Sequence, residues 1–186
     1  YQASENSGGA TELSAKELAE YLGADYQSWL IAPLVEGYTS MVSDGIGREL
    51  TWTKDDLALQ NIQARVRSPG IWMLANIRNS LLLATSNRSE VAVGYATMDG
   101  DTSGGLSPIG GIDKAFLRNW LVWLENEGSE LIQPIPALKS VNRLQPTAEL
   151  RPSDQGQTDE SDLMPYPVLD AIERAAIRDK RAPLAI

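Results

Sequence analysis

At 186 residues the chain is long enough for one domain with a substantial core. Its 25 acidic residues against 16 basic ones leave a net charge of −9, a field that repels a nucleic-acid backbone. Cysteine and histidine are both absent, which removes disulfides, thiolate zinc sites, cysteine nucleophiles and any triad centred on histidine; no apolar run approaches the ~20 residues of a membrane helix and Tyr1 opens no signal segment, so a cytoplasmic protein with no membrane partner is expected.

Tyr1 to Ala10 is polar and rich in Ser, Gly and Asn, which favours a loop. Ser14 with Glu17 fits a capping box, Leu18 and Leu22 mark one face, and Gly23 sits where a helix C′ glycine belongs, so a short helix is predicted over 15–22. Tyr26 to Ala32 (YQSWLIA) is aromatic and apolar between Gly23 and Pro33 and reads as a strand. Thr53 and Asp56 then open a helix through Arg67; Pro69 is expected to interrupt it, and Ile71 to Asn76 resume helical spacing. The run SLLLAT at 80–85 is short and continuously apolar, as a parallel strand covered on both faces should be.

Asn87 and Glu90 can cap a further helix, and the stretch from Gly94 to Gly111 has no periodicity and reads as a functional loop. From Lys114 onward Leu117, Trp120, Leu121 and Leu124 share a helical face, with Asp113 as N-cap. Residues 145–167 combine proline, glycine and acidic residues and are expected to form an exposed connection. A last helix buries Val168, Leu169 and Ile172 and runs to about Arg178. Helices alternating with apolar strands make an α/β fold with a parallel sheet the expected class.

In such a sheet ligands bind beyond the carboxyl ends of the strands, where Thr85 to Glu90 (TSNRSE) lies. A helix start there attracts anions and a carboxylate at Glu90 can hold magnesium against ATP oxygens, although the same pattern also serves a plain N-cap, and capping boxes far outnumber metal sites. The glycine-rich stretch Gly100 to Lys114 lets backbone approach a ligand and ends on a lysine at a helix start; a surface loop with a solvated lysine fits it equally. Asn61 and Arg65, four apart, can jointly grip a polar ligand or face solvent, and Lys180 and Arg181 complement a helix dipole without any ligand.

The segments NIQARVR (61–67), TSNRSEVAVGYATMDGD (85–101), GGLSPIGGIDK (104–114), QPTAELRP (145–152), QTDESDL (157–163) and DKRAP (179–183), in this order, resemble NAD synthetase, and the glutamine-dependent branch most closely. The resemblance implies an adenine nucleotide alpha hydrolase-like (Rossmann-like) domain that is incomplete at its N-terminus. It implies ATP as substrate, Mg2+, deamido-NAD (nicotinic acid adenine dinucleotide) and ammonia from a glutaminase domain, with adenylation of the substrate carboxylate before amidation to NAD. Position by position it places Thr85, Lys114 and Thr147 on ATP, Glu90 on magnesium or deamido-NAD, and Asn61, Arg65, Tyr95, Ala96, Thr97, Met98, Asp101 and Lys180 on deamido-NAD. No residue is implied as nucleophile or base.

Met98 and Gly105 stand where the ammonia-dependent branch has a lysine and an aspartate, so those contacts do not carry over, and Asp179 replaces a histidine of some relatives. The family's SGGxDS phosphate loop is not found: Ser7-Gly8-Gly9 continues into Ala10-Thr11. With that loop and the glutaminase domain missing, the expectation is one domain over 1–186 that is part of a longer polypeptide and makes no NAD alone. Trp72, Trp120 and Trp123 suggest apolar area buried in a homodimer or higher homo-oligomer, or else within one chain. A sister ATP pyrophosphatase, such as a GMP or asparagine synthetase, and a non-catalytic nucleotide-binding or assembly module are the competing readings.

Overall fold

The computed structural model describes residues 1–152 and 156–185. Two short parallel strands, β1 (Gln2–Ala3) and β2 (Trp29–Leu30), pair in register Gln2 to Trp29 and Ala3 to Leu30. Between them α1 (Gly9–Tyr21) makes the crossover. The expected helix is therefore present but starts earlier, at the Gly8 cap, and Ser14 lies inside it with its hydroxyl donating back to the Ala10 carbonyl at 2.8 Å. Its end is as expected: Gly23 takes a φ of +66°, a conformation that glycine adopts without steric cost.

The expected strand over 26–32 shrinks to Trp29–Leu30, because α2 (Ala32–Ile46) begins at once with Pro33 in its first turn. This 15-residue helix is absent from the sequence reading above, although Pro33, apolar residues at 34, 38, 41 and 42, and left-handed Gly47 carry its signal. None of its residues is buried, and it packs on α3 (Trp52–Arg65). The next break falls at Val66, before α4 (Arg67–Arg78), and not at Pro69. Pro69 lies in the first turn of α4, where its missing N–H leaves no helical bond unmade.

The 80–85 segment forms one parallel bridge, Leu83 to Leu106, in which the Ala84 amide donates to the Leu106 carbonyl and the Gly105 amide to the Leu82 carbonyl, both at 2.8 Å. Its two faces are not both covered as expected, since Leu81 is 64% and Leu83 49% exposed. Side-chain alternation leaves only Ala84 of this run in the core.

After this bridge come α5 (Arg88–Ala92), α6 (Lys114–Asn126), α7 (Leu138–Asn142), α8 (Asp159–Asp162) and α9 (Tyr166–Glu173), the last continuing as a π-helical turn through Arg178. α9 packs against α5 and α6, and α7 joins α6 to α1. Of the three apolar residues assigned to the inner face of the last helix only Leu169 is buried, and the connection over 145–167 is not wholly exposed. It contributes Asp159 and Tyr166 to the core, Tyr166 with no exposed surface at all, because the Asp159 carboxylate accepts the Tyr166 hydroxyl at 2.8 Å. Residues 153–155 of that connection lie outside the described residues. The fold is α/β, helix-rich around a small parallel sheet. No helix among the described residues is long and apolar enough to cross a membrane.

Candidate active site

Beyond the Leu83 to Leu106 bridge, on its carboxyl side, lies a cleft of about 600 Å³. Its walls come from β1, α3, α4, the 94–103 loop, the starts of α5 and α6, and the 146–150 and 159 stretch. Thr85, Glu90, Lys114 and Thr147, spread over 63 positions of sequence, all line it.

Glu90 owes its place to local chemistry. Asn87, in extended conformation, accepts the Glu90 amide at 3.1 Å, while Glu90 Oε2 accepts the Asn87 amide at 3.2 Å. The other oxygen, Oε1, takes the Lys114 ammonium at 2.6 Å. Cap and cleft residue are thus one side chain in two roles. The Arg88 amide donates to the Ile112 carbonyl at 3.0 Å, so two amides at the start of α5 already have partners within the chain.

The expected ligand-gripping pair behaves differently. Asn61 accepts the Thr97 hydroxyl at 3.0 Å, and exposed Arg65 donates to the Met98 carbonyl at 3.1 Å, so both hold the 95–101 loop on α3. Asp101 tightens the same loop by accepting the Thr97 amide at 2.7 Å. Asn61, Tyr95, Ala96, Thr97 and Asp101 line the cleft; Arg65, Met98 and Lys180 do not. Met98 is 70% exposed, and Lys180 takes a φ of +52° beyond the last helix. Thr147 uses its hydroxyl locally, donating to the Gln157 carbonyl at 2.8 Å and accepting the Glu149 amide at 3.2 Å.

Two cleft residues escape the sequence reading. Arg67, two places beyond Arg65, has no carboxylate partner within ion-pair distance among the described residues; its Nε reaches only the Gln2 carbonyl at 3.4 Å, and burial pulls its pKa down. The second arginine of NIQARVR was its signal. Asp159 accepts Tyr166 through Oδ2, but its buried Oδ1 has no partner among the described residues, and burial raises its pKa. Burial likewise raises Asp101 and the Tyr95 and Tyr166 hydroxyls. The cleft therefore combines cations at Lys114 and Arg67 with carboxylates at Glu90, Asp101 and Asp159, a set suited to an anionic ligand accompanied by a cation. A separate acidic trio, Asp113, Asp170 and Glu173, lies outside this cleft; Arg88 pairs with Asp113 and Glu173, and Arg174 with Asp113.

Fold and cleft together define an α/β protein with a charged cleft beside the parallel Leu83–Leu106 bridge. Residues 4–183 match the NAD synthase family, and the chain belongs to that family. A glutamine-dependent NAD(+) synthetase of Aquifex aeolicus is 36% identical over 169 residues, which cover 91% of this chain and 28% of that protein. The crystal structure of a glutamine-dependent NAD(+) synthetase from Cytophaga hutchinsonii aligns with a TM-score of 0.82 at 47% identity, over 99% of this chain and 28% of that one. A glutamine-dependent NAD+ synthetase from Acinetobacter baumannii, solved with adenosine diphosphate, shares the fold at a TM-score of 0.64 and 24% identity. The chain spans about 28% of the length of the curated relatives that it matches.

Proposed function

We propose that this chain provides the nucleotide-binding part of an ATP-dependent ligase that amidates deamido-NAD to NAD, with ammonia from glutamine. The observation that carries the reading is the meeting of Thr85, Glu90, Lys114 and Thr147 in one cleft. In the first step a carboxylate oxygen of deamido-NAD attacks the α-phosphorus of ATP, the bond to pyrophosphate breaks and an acyl adenylate forms. Ammonia then attacks the acyl carbon, its C–O bond to AMP breaks, and the nitrogen loses a proton. Both steps depend on placing charge and need no protein nucleophile, which suits a chain without histidine or cysteine.

Lys114 and Thr147 serve the triphosphate, with Thr85 beside it. Asn61, Tyr95, Ala96, Thr97 and Asp101 face the dinucleotide, with Arg65, Met98 and Lys180 assigned to the same substrate from outside the present cleft. A magnesium ion fits the donor set: Glu90 and Asp159, whose Oδ1 has no partner among the described residues, offer hard carboxylate oxygens on one cleft. When bound it supplies charge neutralisation for the phosphates. The working protein is a cytoplasmic homodimer or higher homo-oligomer, a reading supported by the exposed Leu34, Tyr38 and Met41 of α2.

The test uses the full encoded protein with ATP, magnesium, deamido-NAD and either glutamine or ammonium. NAD, AMP and pyrophosphate are expected in equal amounts. AMP released only with another carboxyl or carbonyl acceptor would move the protein to a sister ATP pyrophosphatase, and no AMP with any acceptor would leave a binding module.

A further inference from the structure

Helix α6 starts without help from its own cap. Asp113 stands at the N-cap in extended conformation, yet makes no side-chain bond to the helix. Its carboxylate is engaged elsewhere, one oxygen by Arg88 and the other by Arg174 at 3.2 Å. The first two amides of α6 find partners on other elements: the Lys114 amide donates to Ser89 Oγ at 2.9 Å, and the Ala115 amide to Asp170 Oδ2 at 3.0 Å. Ser89 closes the triangle by donating its hydroxyl to Asp170 Oδ1 at 2.5 Å. Asp170 is 2% exposed and Ser89 is fully buried. A carboxylate so deep costs free energy unless it is hydrogen-bonded, and charge-assisted bonds of this kind are the stronger ones.

Neither Asp170 nor Ser89 lines the cleft, but each of their partners is bonded to something that does. Ser89 directly precedes Glu90, and the amides it and Asp170 hold belong to Lys114 and its neighbour. We infer that Asp170, from α9, is a positioning residue: through Ser89 and the Ala115 amide it fixes where α6 begins, and with it the place at which Lys114 meets Glu90. A single carboxylate thereby locks two residues that the chain separates by 24 positions. Asp113, the obvious cap by sequence, is free to neutralise arginines only because Asp170 does the capping from another helix.

The structural arm of the test needs no activity. In the full encoded protein, residue-level hydrogen exchange at the Lys114 and Ala115 amides should speed about tenfold in Asp170→Asn, with the amides of residues 118–124 unchanged. The kinetic arm rests on the function proposed above. Asp170→Asn should lower kcat/KM on the order of 10- to 100-fold, the effect of a small misplacement. The same substitution made on a Lys114→Ala background should cost less than about threefold more, because there is no longer a lysine to position. If Asp170→Asn does not fold, Ser89→Ala with Lys114→Ala gives the same cycle. Unchanged exchange at residues 114 and 115, or losses that simply multiply, would overturn the inference. A parent protein that makes no NAD would instead count against the proposed function and leave the exchange arm to decide this one.

Discussion

Asp159 shows how one buried group makes stability depend on pH. Burial raises its pKa above the ordinary carboxylate value, against the pull of the Tyr166 hydroxyl and the Lys114 charge. The folded chain therefore binds this proton more readily than the unfolded chain does. The stability it contributes is complete below the ordinary carboxylate value and is lost as pH rises through the raised one. Asp159→Asn removes the titration, so the variant should gain stability relative to the parent across that window, as read by chemical denaturation at stepped pH; parallel curves would mean that the carboxyl titrates normally. Gly104 sets a different limit. A Cβ there would stand 2.5 Å from the Ala84 nitrogen and 2.9 Å from the Leu83 carbonyl carbon, both backbone atoms. Gly104→Ala should break the Leu83 to Leu106 bridge and lower stability by about 1–3 kcal/mol, seen as a lower denaturation midpoint.

Among the elements, α5 has five residues, too few to hold a helix without outside support. Its support is the Asn87–Glu90 capping box on one side and Ser89 bonded to α9 on the other. α3, by contrast, has Thr51 at its N-cap with no side-chain cap bond; the Asp55 carboxylate takes the Thr51 amide and both terminal guanidinium nitrogens of Arg48. Asn87→Ala should therefore cost about 1–2 kcal/mol, and Thr51→Ala only a few tenths, in the same unfolding assay. Equal losses at the two caps would show that the bonds drawn here do not decide helix stability. The sequence placed Asn87, Glu90 and Gly23 correctly because each works through its near neighbours in the chain. It missed α2, whose apolar residues remain exposed, and it placed the α3 break at Pro69, where first-turn geometry tolerates proline.

Across the whole molecule the cleft is built from stretches that meet only on folding: β1, the α3–α4 junction, residues 83–103, the start of α6, residues 146–150 and Asp159. A ligand that binds there ties all of them together. By linkage, a nucleotide at about 100 times its Kd adds ~2.7 kcal/mol to folding. ATP with magnesium should accordingly raise the thermal midpoint of the full encoded protein, and Lys114→Met should abolish most of the rise. An undiminished rise in that variant would put the triphosphate elsewhere.

The order of motifs along the chain was enough to assign the family, and local patterns were enough to place the helix that carries Glu90 and the one that Lys114 begins, since capping depends on residues a few positions apart. Nine of the cleft residues, Asn61, Thr85, Glu90, Tyr95, Ala96, Thr97, Asp101, Lys114 and Thr147, could be named from the resemblance, and tertiary structure then decided what each side chain is bonded to. Only folding put Arg67 and Asp159 into the cleft, turned Asn61 and Arg65 toward the 95–101 loop, and handed the capping of α6 from Asp113 to Asp170. Those outcomes depend on which buried donors and acceptors meet across distant segments, a competition settled by packing and desolvation that no local pattern records.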